Sequence, residues 1–540
     1  MGQTRAKSLR SKKNQHPAEL RPAARGGRLP FPIVGIGASA GGLEALTQLL
    51  KALPANTGMA FIAIQHLDPA HSSFLSQALG KATSMRVLQV ENGMRVEPDH
   101  VYVIPPNADV ALSGEKLVLV ERGPQPHLPV DSFLRSLAHE RGSQAIGVVL
   151  SGTASDGTAG LRAIKGENGI TLVQDPQSAK FSGMPQSAID AGVVDYTLPL
   201  PLLAEELVRL SRHPYLTVDP ELPPEQVEED VLDQIFLVVR AAVGVDYTEY
   251  KPATLQRRLA RRMAVRKTKS LGDYLRILRE DPQEARLLHE DIRIHVTSFF
   301  RDPEVFEALK TRVFPELLRP SPEGAPIRIW VAGCSTGEEV YSLAIALLEF
   351  MDESPLPRPL QIFGSDISEQ AIRTARQGLY PDSIVRELTE QRRRRYFVQA
   401  DGGYRIHKIV RELCVFVRHD LARDPPFSKL DLIACRNVLI YFAAALQKRI
   451  VATFHYCLNQ PGYLVLGRTG YAGRNAQGSL HKTTAITGEN QFGALLTCSP
   501  SAVAGCDCMA VVKTEWRGLE SPRHHRKRAK ITDHHSSFNF

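Results

Sequence analysis

The sequence predicts an α/β protein: two parallel-sheet domains with a helical segment between them. Three observations carry this. Over residues 31–212, short apolar runs alternate with segments of helical spacing, as strands joined by crossover helices do. The same alternation returns from Ile327 onward. Between them, residues 227–318 place apolar residues at helical spacing and give little strand signal. A chain of 540 residues fits three or four domains at about 150 residues each.

The elements follow in order. Residues 1–30 mix Lys, Arg, Gln, Pro and Gly without apolar periodicity, and read as a disordered basic tail. FPIVGIG opens the first domain as a strand ending in glycines, and LEALTQLLKAL (43–53) is a helix. MAFIAIQHL (59–67) and QAIGVVLSG (144–152) are further strands. HPYLTVDPELPPEQ (213–226) holds four Pro and reads as a linker. VLDQIFLVVRAAV and DYLRILRE are helices of the middle segment, 227–318. IRIWVAG, LQIFGSD, LDLIACR and YLVLG are strands of a second sheet domain, 319–470. Residues 471–540 lose all sustained period and read as a disordered tail.

Composition narrows the function classes. Apolar residues make up 43% and charged residues 23%, an ordinary globular mixture. No apolar run reaches the roughly 18 residues a membrane span needs. Seven Cys, sparse and odd in number, argue against a secreted disulfide framework and for a reducing cytoplasm. Residues 1–30 carry eight Lys/Arg against Glu19, and residues 511–540 carry seven against three acids. The body between them is mildly acidic despite the formal +8, so net charge gives no nucleic-acid footprint. The pairs His524-His525 and His534-His535, with Cys506-Asp507-Cys508, match no zinc spacing, and no metal is expected.

VGIGASAGGLEAL places Gly37-Ala38-Ser39-Ala40-Gly41 between a strand and a helix. Small neighbours permit a sharp turn that exposes the Ser39 hydroxyl. A serine needs a base, and the base an orienting carboxylate. His66 ends one apolar strand, and Asp156 follows another in SGTASDGTAG. In a parallel sheet such strand ends share one edge. Two other readings stand beside this one. Gly35-x-Gly37-x-x-Ala40 also fits a dinucleotide loop, although the next strand ends in Gln65-His66 rather than an acid. A plain turn is the third.

Together with IQHLDPAHSSFL, VYVIPPN, VLSGTASDGTAGL and QDPQSAKFSGMPQSAIDAGVVDYTLP, this segment resembles the catalytic domain of chemotaxis protein-glutamate methylesterases (CheB-type). The likeness is collinear over about 31–210. It implies Ser39 as nucleophile, His66 as general base, Asp156 as orienting acid, and a γ-glutamyl methyl ester on chemoreceptors as substrate. The family's Met following its glycine turn is Thr153 here.

IRIWVAGCSTGEEVYSLAIAL (327–347) is a strand, a glycine turn and a helix. Asp366 ends the next strand, 33 residues after Gly333. An acid there accepts hydrogen bonds from ribose hydroxyls in a Rossmann-like site, or caps a turn. With YKPATLQRRLARRM, VTSFFRDPEVF, ARQGLYP and FSKLDLIACRNVLIYF, the stretch 227–468 resembles chemoreceptor glutamate O-methyltransferases (CheR-type). The resemblance implies a helical domain, then a Rossmann-like domain with a small β-insert. It also implies S-adenosylmethionine binding by Thr297, Arg301, Glu339, Asp366, Arg436 and Asn437, with Tyr441 near the transferred methyl. His295 and Asp420 stand where the family carries Asn.

The family's sheet closes on a strand antiparallel to the one matching YLVLG. Here GRTGYAGRNAQGSLHKTT follows instead, and no closing strand is legible. TLQRRLARRMAVRKTK (254–269) carries seven Lys/Arg. It is either a solvated helix face or, by the resemblance, a dock for an acidic receptor coiled coil.

The expectation is a cytoplasmic bifunctional enzyme that removes and installs methyl esters on receptor glutamates. Its partners are methyl-accepting chemoreceptors or similar acidic coiled-coil sensors, with neither nucleic-acid binding nor membrane insertion. The alternatives are a signalling scaffold with one or both sites inactive, and a methyltransferase acting on a non-receptor substrate.

Overall fold

The computed structural model describes residues 29–65, 75–106, 108–120, 128–217, 229–293, 297–319, 325–352, 359–381, 385, 388–401, 403–467, 483–486 and 510–514. The first domain runs β1 (Ile33–Ala38), α1 (Gly42–Ala52), β2 (Ala60–Gln65), α2 (Leu75–Gly80), β3 (Arg86–Gln89), β4 (Met94–Arg95) and β5 (His100–Val103). β6 (Asp109–Ser113), β7 (Lys116–Val120), α3 (Pro129–Arg141), β8 (Ala145–Val149), α4 (Thr158–Gly166) and β9 (Ile170–Gln174) follow. α5 (Gly183–Asp190), β10 (Tyr196–Leu198), α6 (Leu200–Ser211) and α7 (Pro214–Thr217) complete it. Seven strands form one parallel sheet in the order β10-β9-β8-β1-β2-β5-β3, and β4-β7-β6 form a small antiparallel sheet.

Strand β1 is buried throughout, as a central parallel strand must be. Val34, Ile36 and Ala38 join one apolar layer and Ile33 the other. Gly35 and Gly37 let α3 lie close against this strand. A Cβ on Gly37 would stand 2.2 Å from Val130 Cγ1, and one on Gly35 2.7 Å from Leu134 Cδ2. The repeat read as a possible dinucleotide loop is therefore a helix-packing feature.

Helices α8 (Glu229–Val243), α9 (Pro252–Val265), α10 (Leu271–Glu280) and α11 (Pro282–Ile292) form the middle domain around Ile235, Leu259, Tyr274 and Leu288. α12 (Pro303–Ala308), α13 (Phe314–Leu317), β11 (Ile327–Ala332), α14 (Glu338–Met351), β12 (Leu360–Asp366) and α15 (Glu369–Gln377) lead into the second sheet. Its further strands are β13 (Leu379–Tyr380), β14 (Phe397–Ala400), β15 (Gly403–Ile406), β16 (Cys414–Arg418), β17 (Leu430–Cys435), β18 (Leu458–Leu466), β19 (Thr483–Ile486) and β20 (Ala510–Thr514). The main sheet is ordered β16-β12-β11-β17-β18-β20-β19, and β13-β15-β14 form the antiparallel insert.

Three boundaries differ from the sequence reading. β20 pairs antiparallel with β18, Gly462 opposite Thr514, so a strand does close this sheet. It lies far along a segment without periodicity, which hid it. Pro214–Thr217, inside the expected linker, is a helical turn packed on the first domain. Leu216 is buried there, and its carbonyl accepts from Gln144 Nε2 at 3.3 Å. Leu29, in the expected tail, is also buried, and its carbonyl accepts from Arg141 Nη2.

The basic helix α9 is not a solvated face. Arg258, Arg261 and Arg262 are 2%, 0% and 5% exposed. Arg258 donates to the carbonyls of Lys165 (3.1 Å) and Gly166 (2.7 Å), capping α4 of the first domain. Arg261 pairs with Asp195 of the first domain and, at 2.5 Å, with Asp291 of α11. Arg262 holds Glu284 within the helical domain at 2.7 Å. The expectation that α9 docks an acidic partner is corrected for these three arginines: the chain's own carboxylates and carbonyls take them. Gly169 and Asp195 precede β9 and β10, so α9 meets the first sheet at its N-terminal edge, opposite Ser39.

Candidate active sites

Ser39 follows β1 and is half-buried. Its N–H donates to Ser151 O (3.0 Å), and its carbonyl accepts from Gly42 N (2.8 Å). Gly41 turns the chain at φ +74°, a conformation that favours glycine. Ser151, which the sequence reading did not single out, pins this elbow. Its hydroxyl donates to Ala40 O at 2.9 Å and accepts from Phe181 N at 3.0 Å, while its N–H donates to Gln174 Oε1.

Asp156 is 2% exposed. Its Oδ2 accepts from Val130 N (3.1 Å) and its Oδ1 from Asp131 N (2.9 Å), at the start of α3. A helix N-terminus is a favourable seat for a carboxylate. His66 lies outside the described residues. It is the residue after β2, whose last member Gln65 pairs with Ala38. Strands β8, β1 and β2 are neighbours, so the strands that precede Asp156, Ser39 and His66 in the chain end at one sheet edge.

In the second domain, Gly333 turns at φ +73°, and a Cβ there would stand 2.3 Å from Val438 Cγ2. Gly337 has φ +96°. Asp366 Oδ2 accepts from Ser335 N at 2.9 Å and Oδ1 from Ser368 N at 2.8 Å. Asp366 thus stabilises both turns flanking the crevice, and each oxygen keeps a second lone pair for a ribose hydroxyl.

Glu339 sits in the first turn of α14, 3.4 Å from Arg436 Nη1. Arg436 Nη2 also donates to Arg301 O (2.8 Å) and Asp302 Oδ2 (2.5 Å). Arg436 therefore ties Glu339 to the Arg301 segment. Asn437 adopts φ +57° just past β17. Thr297 lies two residues before the buried Phe299.

Strands β12, β11 and β17 are neighbours, which brings Asp366, Gly333 and Arg436 to one edge. Asp420 caps its own turn: its Oδ1 accepts from Ala422 N at 2.9 Å. His295 lies outside the described residues. Tyr441 O accepts from Lys251 N at 2.9 Å. Burial pushes the Tyr441 phenol up, Arg258 and Arg301 draw it down, and Glu167 raises it again.

A turn that admits only glycine, an acid at the next strand end and a carboxylate at the head of the following helix suit an adenosyl amino acid. Such a ligand presents ribose hydroxyls and an ammonium group. Among the described residues, no cluster of three or more His, Cys, Asp or Glu is placed to hold a metal ion. The Cys506–Cys508 and paired-histidine segments lie outside those residues. Also among the described residues, no helix is long and apolar enough to cross a membrane.

The fold and its two crevices define a chain with an ester-hydrolase-type domain and a methyl-donor domain. Residues 34–207 match the CheB methylesterase family. Residues 230–292 match the all-alpha domain of CheR methyltransferases, and 295–484 their SAM binding domain. The chain is 37% identical over 416 residues to an uncharacterized 104.1 kDa protein of Rhodobacter capsulatus, covering 73% of this chain and 44% of that one. It is 30% identical to the chemotaxis protein methyltransferase of Borreliella burgdorferi, over 45% of this chain and 88% of that one. It is 35% identical to a protein-glutamate methylesterase/protein-glutamine glutaminase of Photorhabdus laumondii, over 33% of this chain and 52% of that one. The chain belongs to the CheR methyltransferase family and carries a CheB methylesterase domain ahead of it. Its C-terminal domain is of the S-adenosylmethionine-binding class.

Proposed function

We propose that this chain is a cytoplasmic bifunctional enzyme that hydrolyses glutamate γ-methyl esters and methylates glutamates on chemoreceptors. In the first domain, His66 takes the Ser39 proton as the hydroxyl oxygen attacks the ester carbonyl. Asp156, fixed on the α3 amides, orients the imidazole. Amide N–H groups at the head of α1 stabilise the oxyanion. Methanol leaves, and water then releases the acyl group from Ser39.

In the second domain, Glu339 would hold the donor's ammonium and Asp366 its ribose, with Thr297, Arg301, Arg436 and Asn437 completing the pocket beside Tyr441. S-adenosylmethionine, when bound, supplies an electrophilic methyl on a sulfonium. An acceptor carboxylate aligned there would form the O–CH3 bond as the C–S bond broke, with the electron pair returning to sulfur. Opposite charges vanish in this step, so alignment and exclusion of water favour it.

The observation that carries the reading is the register Ala38 opposite Gln65 beside β8, which supports a meeting of Ser39, His66 and Asp156. Mass spectrometry of a purified receptor domain, incubated with the chain with and without S-adenosylmethionine, tests it. Gain of methyl groups with the donor and loss from a pre-methylated receptor without it are expected. A receptor mass unchanged in both directions overturns it.

A further inference from the structure

A cleft of about 870 Å3 separates the first domain from the other two. Gln186 and Asp190 of α5 line one wall, with Arg162 and Lys165 of α4. Leu287 and Glu290 of α11 line the other, 37% of Leu287 being exposed. The cleft reaches Thr336, inside the Gly333–Gly337 turn, and Ser368, whose N–H holds Asp366. It therefore borders the two turns that flank the methyl-donor crevice.

One buried cation gives the cleft an anion-attracting feature. Most of the other charges pair with one another: Asp291 with Arg261 and, at 3.8 Å, with Lys165, and Glu290 with Arg293 at 2.5 Å, while Asp190 accepts from the Gln186 amide at 2.8 Å. Arg258 also lines the cleft, but its hydrogen bonds run to the Lys165 and Gly166 carbonyls, and its buried Nε has no partner. A buried cation without a bonded carboxylate attracts one strongly.

We propose that this cleft admits the glutamate-bearing acceptor segment to the methyl-transfer site, and that the methylesterase domain builds one of its walls. The proposal rests on the methyl-transfer reading of the C-terminal half. It makes the methylesterase domain a structural part of the methyltransferase's acceptor site, independent of Ser39 chemistry.

The test is steady-state methyl transfer by the full chain to a purified receptor domain, with labelled S-adenosylmethionine. Gln186→Trp fills the cleft from the methylesterase side and should raise the acceptor KM about tenfold. Asp190→Arg adds a cation on the same wall and should lower the acceptor KM several-fold, a gain that misfolding does not produce. Donor affinity, measured by calorimetry, reports on the intact fold. Wild-type KM in both variants overturns the groove while leaving methyl transfer standing. No transfer by the wild-type chain overturns the underlying reading, and the groove with it.

Discussion

Asp156 and Asp131 each brace the turn beside the other. Asp156 accepts from the N–H groups of Val130 and Asp131 at the head of α3, while Asp131 Oδ1 accepts from Gly157 (2.9 Å) and Gly160 (2.7 Å) at the head of α4. Both are almost fully buried. The expected catalytic acid is thus set by a second carboxylate that the sequence reading did not single out. Asp131→Ala leaves these buried amides unsatisfied and should cost about 1–3 kcal/mol. Ester hydrolysis should fall with it, and Asp131→Glu should not restore the rate because its longer arm displaces the turn. Denaturant melts and ester-hydrolysis kinetics read the two effects.

Ser39→Ala should abolish methanol release from methylated receptor and leave methyl transfer in place. The two crevices belong to different sheets, so the losses should separate. Gas chromatography of methanol beside isotopic methyl transfer checks this, and a parallel fall in both would contradict separate sites.

Asp366→Ala removes acceptors for Ser335 and Ser368 N–H as well as the expected ribose contact. Donor affinity should fall by roughly ten- to a hundredfold, the cost of one or two charged hydrogen bonds. Titration calorimetry with S-adenosylhomocysteine measures it; an unaltered affinity removes Asp366 from the donor site.

Arg261 faces Asp195 across the domain boundary and Asp291 within its own domain. Burial pushes the Asp195 carboxyl up, but Arg261 and Lys165 outweigh it and hold the group at about 2, below its ordinary 3.8. A depressed folded value means stability present above about pH 4 and lost as pH falls toward 2. Arg261→Ala strands buried carboxylates and should cost about 3–5 kcal/mol at pH 7. Its penalty should shrink on acidification, since protonation then relieves the stranded charge. Melting curves at pH 7 and pH 4 give the comparison, and a pH-independent penalty would refute the ion-pair account.

The parallel strands and both glycine turns were legible in the sequence because period and punctuation are local signals. So was the placing of Ser39 and Asp366 at strand ends. Three things were not. Gly35 and Gly37 matched a nucleotide loop by pattern, and only the approach of Val130 and Leu134 gives their role. Arg258 and Arg261 looked like part of a solvated charge run, because their partners at 165–169 and Asp195 lie some 66 to 93 positions away. Ser151 and Asp131 work through hydrogen bonds to distant main chain, which spacing does not record.

Tyr463–Leu466 would form a bare sheet margin but for the antiparallel partner at Ala510–Thr514. A chain cut short of residue 510 would present that row of amides and carbonyls to whatever strand arrives first, including its own copies. Trimming the far end for convenience in expression therefore invites intermolecular pairing, and boundaries for soluble fragments belong beyond residue 514.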